Sequence, residues 1–107
     1  MEGRTPMIHH YILWRYTEAA EAFGKKELVI ELNRRFQALV GQIDGMISIV
    51  IRPCDAKGDP GYHDLMLFAE FIDKEALMRY MLDEKHIRIR KWDQQYVCDR
   101  AGFDYEV

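Results

Sequence analysis

Tyr80 and His86 are the two residues of this 107-residue chain whose types and spacing best fit proton chemistry. A phenol can donate a hydrogen bond to a developing oxyanion, and an imidazole can accept a proton near pH 7. Tyr80 lies with Leu77 and Met81 on the apolar stripe of a predicted helix. Asp83 is placed to cap a second helix, so that His86 falls in its first turn, where the helix dipole keeps the imidazole neutral. The alternative is that Tyr80 packs in the core and His86 is exposed.

In the catalytic interpretation, His86 removes an acidic proton beside a carbonyl group while Tyr80 stabilises the enolate oxygen. The candidates for lining a pocket around this pair share an apolar or aromatic setting. They are His10, Ile12, Trp14, Phe36 and Ile89. His10 lies on an apolar strand face, where a histidine either lines a pocket or bonds a backbone carbonyl in the core. Ile12, Trp14 and Phe36 either form a pocket wall or simply pack in the core.

The elements that must position these residues follow the order strand, helix, strand, strand, helix, helical extension, strand. Hydrophobic periodicity, β-branched runs and Gly/Pro breaks define them. The first predicted segments are a tail at 1–6, a strand at 7–16, a linker or ragged helix start at 17–24, and a five-turn amphipathic helix over about 27–43 that Gly45 closes. A strand at 46–52 stopped by Pro53, a loop at 54–61 and a strand at 63–72 follow. The predicted chain then has a helix capped by Asp73, a rougher helix from His86 to Tyr96, a break at 101–102 and a last strand at 103–107.

This order predicts an α+β chain with the ferredoxin-like β-α-β-β-α-β arrangement, in which helices cover one face of a four-stranded antiparallel sheet. We expect a tail at residues 1–6 and one domain at 7–107. The first and third strands carry apolar residues on both faces, although helices can cover only one. We therefore expect a homodimer whose two sheets pack face to face.

Composition argues against several other classes of protein. The net charge is −3, and the strand at 63–72 lacks the glycine of RNA-binding sheets, so no nucleic acid is expected. The one local basic run is interpreted as a solvated face or pocket rim; it comprises Lys85, Arg88, Arg90 and Lys91. The histidines show no metal-ligand spacing, and Cys54 and Cys98 form no Cys-x-x-Cys motif. Without a secretion signal or an apolar run long enough for a membrane, we expect a cytoplasmic protein with reduced thiols and no bound metal.

The sequence resembles the stress-responsive A/B barrel proteins, which are dimeric α+β barrels, from about Met7 to Val107. Each motif is short, but four occur in the family's order. They are Met-Ile-His-His-Tyr-Ile-Leu-Trp-Arg-Tyr at 7–16, Gly-Tyr-His-Asp-Leu at 61–65 leading to Ala-Glu-Phe at 69–71, Tyr80 followed at six residues by His86, and Phe-Asp-Tyr-Glu-Val at 103–107.

The resemblance implies a pocket between sheet and helices for a small, partly aromatic, carbonyl-bearing molecule. A few plant members are polyketide cyclases, in which the residues matching Tyr80 and His86 are the working pair and the one matching His10 lines the pocket. Here Asp83 and Glu84 stand where those enzymes have His-Pro. The alternatives are a non-catalytic stress or interaction protein with a filled core, and a monooxygenase-like barrel on architecture alone. None of these needs a cofactor, and none is expected.

Overall fold

The computed structural model describes residues 6–56 and 59–107, which form a four-stranded antiparallel sheet with helices packed on one face. This is the predicted ferredoxin-like α+β fold. The elements are β1 (Ile8–Tyr16), α1 (Glu18–Phe23), α2 (Lys25–Gln37), β2 (Met46–Pro53), β3 (Leu65–Phe71), α3 (Lys74–Leu82), α4 (Glu84–Asp93) and β4 (Val97–Glu106). The predicted tail lies outside the described residues except for Pro6, which is exposed.

The sheet order is β2-β3-β1-β4, so β1 is a central strand that pairs with β3 on one side and β4 on the other. In this register His10 stands opposite Ala69 of β3 and opposite Asp104 of β4. A strand from the start of the chain and one from its end are thereby neighbours. Residues 94 positions apart in sequence can meet on the helix-covered face.

The core lies between this sheet face and the helices. Side chains of a strand alternate between its two faces, and every second residue of β1 and β3 is buried. The buried residues are Ile8, His10, Ile12 and Trp14 in β1, and Leu65, Leu67, Ala69 and Phe71 in β3. From the helical side, α2 contributes Leu28, Leu32 and Phe36 at the predicted spacing of four residues.

The opposite face of the sheet has no helix over it and carries a cluster of aromatic rings. The Tyr11 ring lies 4.8 Å from Phe68 and is stacked on Tyr105 at 6.2 Å between centroids. Leu13 and Phe103 are exposed on the same face, to 37% and 67%. This surface is the apolar face that the alternation in β1 and β3 predicts.

The second helix is shorter than predicted. It ends at Gln37, and the chain continues in turns up to Gly45. Gly41 has a φ of +90°, which is incompatible with a continuing helix. Leu39 and Ile43 are nevertheless buried. Their apolar spacing mimics a helix because the turns fold them against the same core.

The last strand is longer than predicted, and a further short helix forms near the start of the chain. Strand β4 begins at Val97, and Ala101 and Gly102 lie within it instead of breaking the chain. The irregular part of β4 comes before these two residues. There the pairing with β1 shifts register between Leu13 and Arg15, and Asp99 adopts a φ of +51°. Residues 17–24, predicted as a linker or ragged helix start, contain helix α1. Among the described residues no helix is both long and apolar enough to span a membrane.

Candidate functional site

Asp83 separates the two helices that carry Tyr80 and His86. It has an extended backbone (φ −69°, ψ 133°), ends α3 and caps α4, and its carboxylate accepts a hydrogen bond from the Lys85 amide at 2.8 Å. The predicted cap is confirmed, as is the Asp73 cap of α3. The one-residue break folds α4 back toward α3. As a result, the Tyr80 and His86 rings lie 4.0 Å apart between centroids, tilted by 35°.

Both rings are buried, Tyr80 to 1% exposure and His86 to 5%. The alternative of an exposed His86 is wrong. Burial lowers the pKa of His86 to about 4, a backbone interaction with Met81 opposes this shift, and the Arg90 charge adds to it. Burial also raises the pKa of Tyr80 above its usual value. The imidazole is therefore neutral at pH 7, as predicted, and burial makes the largest contribution to the lowered pKa; the phenol keeps its proton.

His10 joins this pair from the floor of the site. Its ring lies 5.9 Å from Tyr80, and its Nδ1 lies 2.6 Å from a carboxylate oxygen of Asp104. The partner is thus a carboxylate on β4 and not the backbone carbonyl considered from the sequence. A carboxylate on one ring nitrogen fixes the orientation of an imidazole and leaves the other nitrogen for a ligand. Asp104 carries no local signal in the sequence. Only the pairing of β1 with β4 identifies it.

Among the other predicted lining residues, Phe36 lies next to the pair and Trp14 lies beyond Phe36. Phe36 lies 6.2 Å from His86, and Trp14 lies 6.4 Å from Phe36. Ile12 packs against Gly102, its register partner in β4, and Ile89 lines a surface groove between α2 and α4. Phe71 of β3 was not predicted, yet its ring lies 5.2 Å from Tyr80.

Three buried polar atoms of this interior have no hydrogen-bond partner among the described residues. They are His86 Nδ1, Trp14 Nε1 and Asp93 Oδ2. Asp93 is fully buried, and its other oxygen accepts a hydrogen bond from Arg90. Arg90 therefore turns inward, unlike the solvated face predicted for the basic run. Native proteins pair nearly all buried polar groups, so these three unpaired atoms are an unusual feature of the interior.

A groove between α3 and β4 brings solvent close to these rings. It has a volume of about 440 Å³ and is lined by Ile8, Leu77 and Asp104, among others. Strand β4 is exposed from Cys98 to Glu106, so the helices leave this edge of the sheet uncovered. Neither Tyr80 nor His86 lines this groove. Asp104 lines the groove and also contacts His10, which lies in the interior.

We find no group of three His, Cys, Asp or Glu side chains placed to hold a metal ion in the described parts of the chain. What the fold presents is an aromatic interior with one phenol, two imidazoles and two carboxylates, those of Asp93 and Asp104. The fold belongs to the ferredoxin-like α+β class, in which helices cover one face of the sheet, and here the other face is apolar. The model of the Stress responsive A/B Barrel Domain family matches residues 8–107, and the chain belongs to this family.

Solved structures with the same fold include proteins that are described with different functions. A dimeric ferredoxin-like protein of unknown function from Bacteroides fragilis is 20% identical, with a TM-score of 0.79, and the match covers 94% of this chain and 96% of that one. The hydroxynitrile lyase from Passiflora edulis is 8% identical, with a TM-score of 0.77 and coverages of 95% and 94%. The cofactor-independent oxygenase SnoaB from Streptomyces nogalater is 9% identical, with a TM-score of 0.74 and coverages of 96% and 94%. No curated protein matches the chain by sequence.

Proposed function

We propose that this protein binds a small, partly aromatic molecule with a carbonyl group between its sheet and helices, and that it catalyses proton transfer next to that carbonyl. The observation that carries the proposal is the contact between the Tyr80 and His86 rings. They lie 4.0 Å apart in a buried site where His86 Nδ1 lacks a partner. This arrangement leaves a neutral nitrogen base beside a protonated phenol.

Each group has a distinct role in the proposed chemistry. Tyr80 donates a hydrogen bond to the carbonyl oxygen, and it retains its proton because burial raises the pKa of its hydroxyl. His86 accepts the proton from the carbon next to the carbonyl. His10, oriented by Asp104 at 2.6 Å, lines the floor beside Tyr80. The Phe36 and Phe71 rings supply the aromatic surface.

Ligand access requires the packed interior to open toward the groove between α3 and β4. That edge of the sheet is open to solvent, because β4 is exposed from residue 98 to 106. The groove of about 440 Å³ also reaches Asp104, which contacts His10 inside. We place the ligand's path there. A fold shared with a hydroxynitrile lyase and a cofactor-independent oxygenase is compatible with small-molecule chemistry at such a site.

The test uses acetophenone, an aromatic ketone whose methyl protons are acidic because they adjoin the carbonyl. The protein is dissolved in D₂O with acetophenone, and loss of the methyl signal is followed by ¹H NMR. We expect the wild-type protein to accelerate deuterium incorporation. Tyr80→Phe and His86→Gln are each expected to lower the protein-dependent rate by about 100-fold or more, the usual scale of general acid–base catalysis.

His63→Gln is the matched histidine control, because His63 contacts Asp99 at the far end of the sheet. It is expected to keep the wild-type rate. Equal rates in wild type, Tyr80→Phe and His86→Gln would contradict the catalytic proposal. If acetophenone binds but its deuterium exchange is not accelerated, the catalytic part of the proposal fails and only the binding part stands.

We further propose that the protein is a homodimer whose sheets pack face to face. The support is the uncovered aromatic face around Tyr11 and Phe68, whose rings lie 4.8 Å apart. A contiguous apolar surface of this kind marks an interface in a soluble protein. Two neighbours with the same fold are described as dimeric, one from Bacteroides fragilis and one from Thermobifida fusca.

The second candidate is a non-catalytic protein whose interior is filled by its own side chains. The observation that favours it is the near-complete burial of Tyr80 and His86, with 1% and 5% of their surfaces exposed. In that case acetophenone neither binds nor exchanges. The same NMR experiment therefore separates the two candidates.

A further inference from the structure

Four polar side chains form a hydrogen-bonded row across the uncovered aromatic face of the sheet. His9 Nδ1 lies 3.0 Å from the Tyr105 hydroxyl, and His9 Nε2 lies 3.1 Å from a carboxylate oxygen of Glu70. The other Glu70 oxygen accepts a hydrogen bond from the Ser48 hydroxyl at 2.9 Å. The four residues come from β1, β4, β3 and β2, so the row joins all four strands. We call these four residues the polar network.

The polar network lies among aromatic rings and is largely shielded from water. The His9 ring makes edge-on contacts with the rings of Phe68 at 5.0 Å and Tyr105 at 5.2 Å between centroids. Only 18% of the His9 side chain and 28% of the Glu70 side chain are exposed. A second sheet packed on this face would cover the surface that remains. The face-to-face dimer therefore encloses an imidazole and a carboxylate in its interface.

His9 is the member of the polar network that changes its charge near neutral pH. Histidine exchanges its proton between pH 5 and 8, whereas from pH 6 to 8 an ordinary carboxylate stays ionised and a tyrosine hydroxyl stays protonated. Glu70 on β3 and Tyr105 on β4 both contact His9. Tyr11, on the same strand as His9, stacks on Tyr105, and β2 contributes the uncharged Ser48.

The other charged groups of these strands lie farther along the strands or on the opposite face. Arg15 is six residues beyond His9 on β1, and Arg52 is four residues beyond Ser48 on β2. Asp104 and Glu106 flank Tyr105 on β4, but their carboxylates contact His10 and Lys74 on the helix-covered face. Glu70 is therefore the charge that the His9 proton compensates.

The net charge of the His9–Glu70 pair decides how costly it is to bury. The pair is neutral when His9 is protonated, and it carries one negative charge when His9 is neutral. A net charge loses more on leaving water than a hydrogen-bonded ion pair does. A two-fold dimer buries the same patch of both copies, so two uncompensated Glu70 charges also share one interface. The dimer should therefore favour protonated His9.

We propose that formation of the face-to-face dimer is coupled to protonation of His9, so that the dimer weakens as the pH rises from 6 to 8. This inference rests on the proposed homodimer and adds its regulation. Proton uptake on association follows from linkage, because the dimer binds the His9 proton more tightly than the separate copies do.

The dissociation constant of the dimer is measured at pH 6, 7 and 8 and constant ionic strength by fluorescence-detected sedimentation, which reaches nanomolar concentrations. We expect it to rise about 10-fold from pH 6 to 8, or about threefold for each of the two copies. Far-UV circular dichroism at each pH verifies that the samples are folded.

Two substitutions in the pair give opposite results. Glu70→Gln removes the negative charge, so the pair is neutral when His9 is neutral and positive when His9 is protonated. Its pH dependence should reverse, with a dimer that tightens as the pH rises. His9→Gln removes the titrating group, and its dissociation constant should change by less than about twofold from pH 6 to 8.

His63→Gln is the matched histidine control, because His63 contacts Asp99 at the far end of the sheet. It should keep the wild-type pH dependence. Should a variant of the polar network fail to fold, the pH series of the wild-type protein and of His63→Gln still decides the matter, because a constant that does not rise with pH in the wild type overturns the inference.

The outcomes separate this inference from the homodimer on which it rests. A wild-type monomer at all three pH values overturns the homodimer, and the inference fails with it. A wild-type dimer of equal affinity at pH 6 and 8 overturns the coupling and leaves the homodimer standing. The wild-type pH dependence retained in His9→Gln, or lost in His63→Gln, also overturns the coupling. So does a Glu70→Gln dimer that still weakens as the pH rises.

Discussion

The Tyr80 and His86 rings are in contact, 4.0 Å apart between centroids, although they belong to different helices. The contact depends on a helix break of one residue, Asp83, which ends α3 and caps α4. An unbroken helix would carry residues 80 and 86 to different faces, because six residues are about 1.7 turns. The break therefore creates the candidate site.

The first prediction concerns this break. Asp83→Ala removes the acceptor that the Lys85 amide uses at 2.8 Å. We expect the free energy of unfolding to fall by about 1 kcal/mol, as for other N-cap deletions. Urea denaturation measures it. Asp55→Ala, in the exposed loop after β2, is the control and should change stability by less than about 0.5 kcal/mol. Equal effects of the two substitutions would show that the cap does not stabilise α4.

The second prediction concerns two buried groups whose effects on stability oppose each other below pH 7. The pKa of His86 is about 4 in the folded chain against an ordinary 6.5, so the folded state binds fewer protons and stability falls as the pH drops from 6.5 to 4. Burial raises the pKa of Asp93 from 3.8 to about 6, so the folded state binds more protons and stability falls as the pH rises through that range.

Each of the two effects amounts to about 3 kcal/mol across its range, and in the wild-type protein they largely cancel. Asp93→Asn should therefore leave a protein that loses stability on acidification, and His86→Gln one that gains stability. Urea midpoints of both variants between pH 4 and 6.5 provide the measurement. Parallel curves for the two variants would refute the assigned protonation states.

The third prediction concerns the orientation of His10. Its Nδ1 lies 2.6 Å from Asp104, so we expect the neutral imidazole to carry its proton on Nδ1 and donate it to the carboxylate. Two-bond ¹H–¹⁵N correlation spectra report the tautomer directly. In Asp104→Asn the preference should weaken, whereas Asp99→Asn, at the other end of β4, should leave it unchanged. A protonated Nε2 in the wild-type protein would contradict this arrangement.

The fourth prediction tests the homodimer. Leu13 is 37% exposed at the centre of the uncovered sheet face, and Ile30 is 63% exposed on α2. Leu13→Arg introduces a charge that face-to-face packing of two sheets would bury without a partner. We expect sedimentation to show a dimer for the wild-type protein and for Ile30→Arg, and a monomer for Leu13→Arg. A wild-type monomer at micromolar concentration would overturn the proposed interface.

The sequence predicted the first three strands and the Asp83 break because their signals are local. Alternation in β1 needs only neighbouring residues, and a cap needs an Asp three residues before His86. The predicted end of α2 was wrong, because Leu39 and Ile43 keep a helical spacing although they lie in turns. A buried turn and a buried helix face have the same apolar pattern.

The parts of the site that the sequence did not predict depend on long-range pairing. Asp104 reaches His10 only because β4 returns beside β1. Asp93 and Arg90 look like solvent-facing helix residues, and only the packing of α4 buries Asp93 and places Arg90 near the Trp14 ring. Charged residues are seldom buried, so composition and periodicity place them outside by default.

A crystal structure of the protein grown with acetophenone tests the central claim most directly. The account predicts the ligand between sheet and helices, with its carbonyl oxygen about 3 Å from the Tyr80 hydroxyl and the ligand's methyl group facing His86. The rings of Tyr80 and His86 should then have moved apart from their present 4.0 Å. An interior unchanged at saturating acetophenone, with the two rings still in contact, would contradict it.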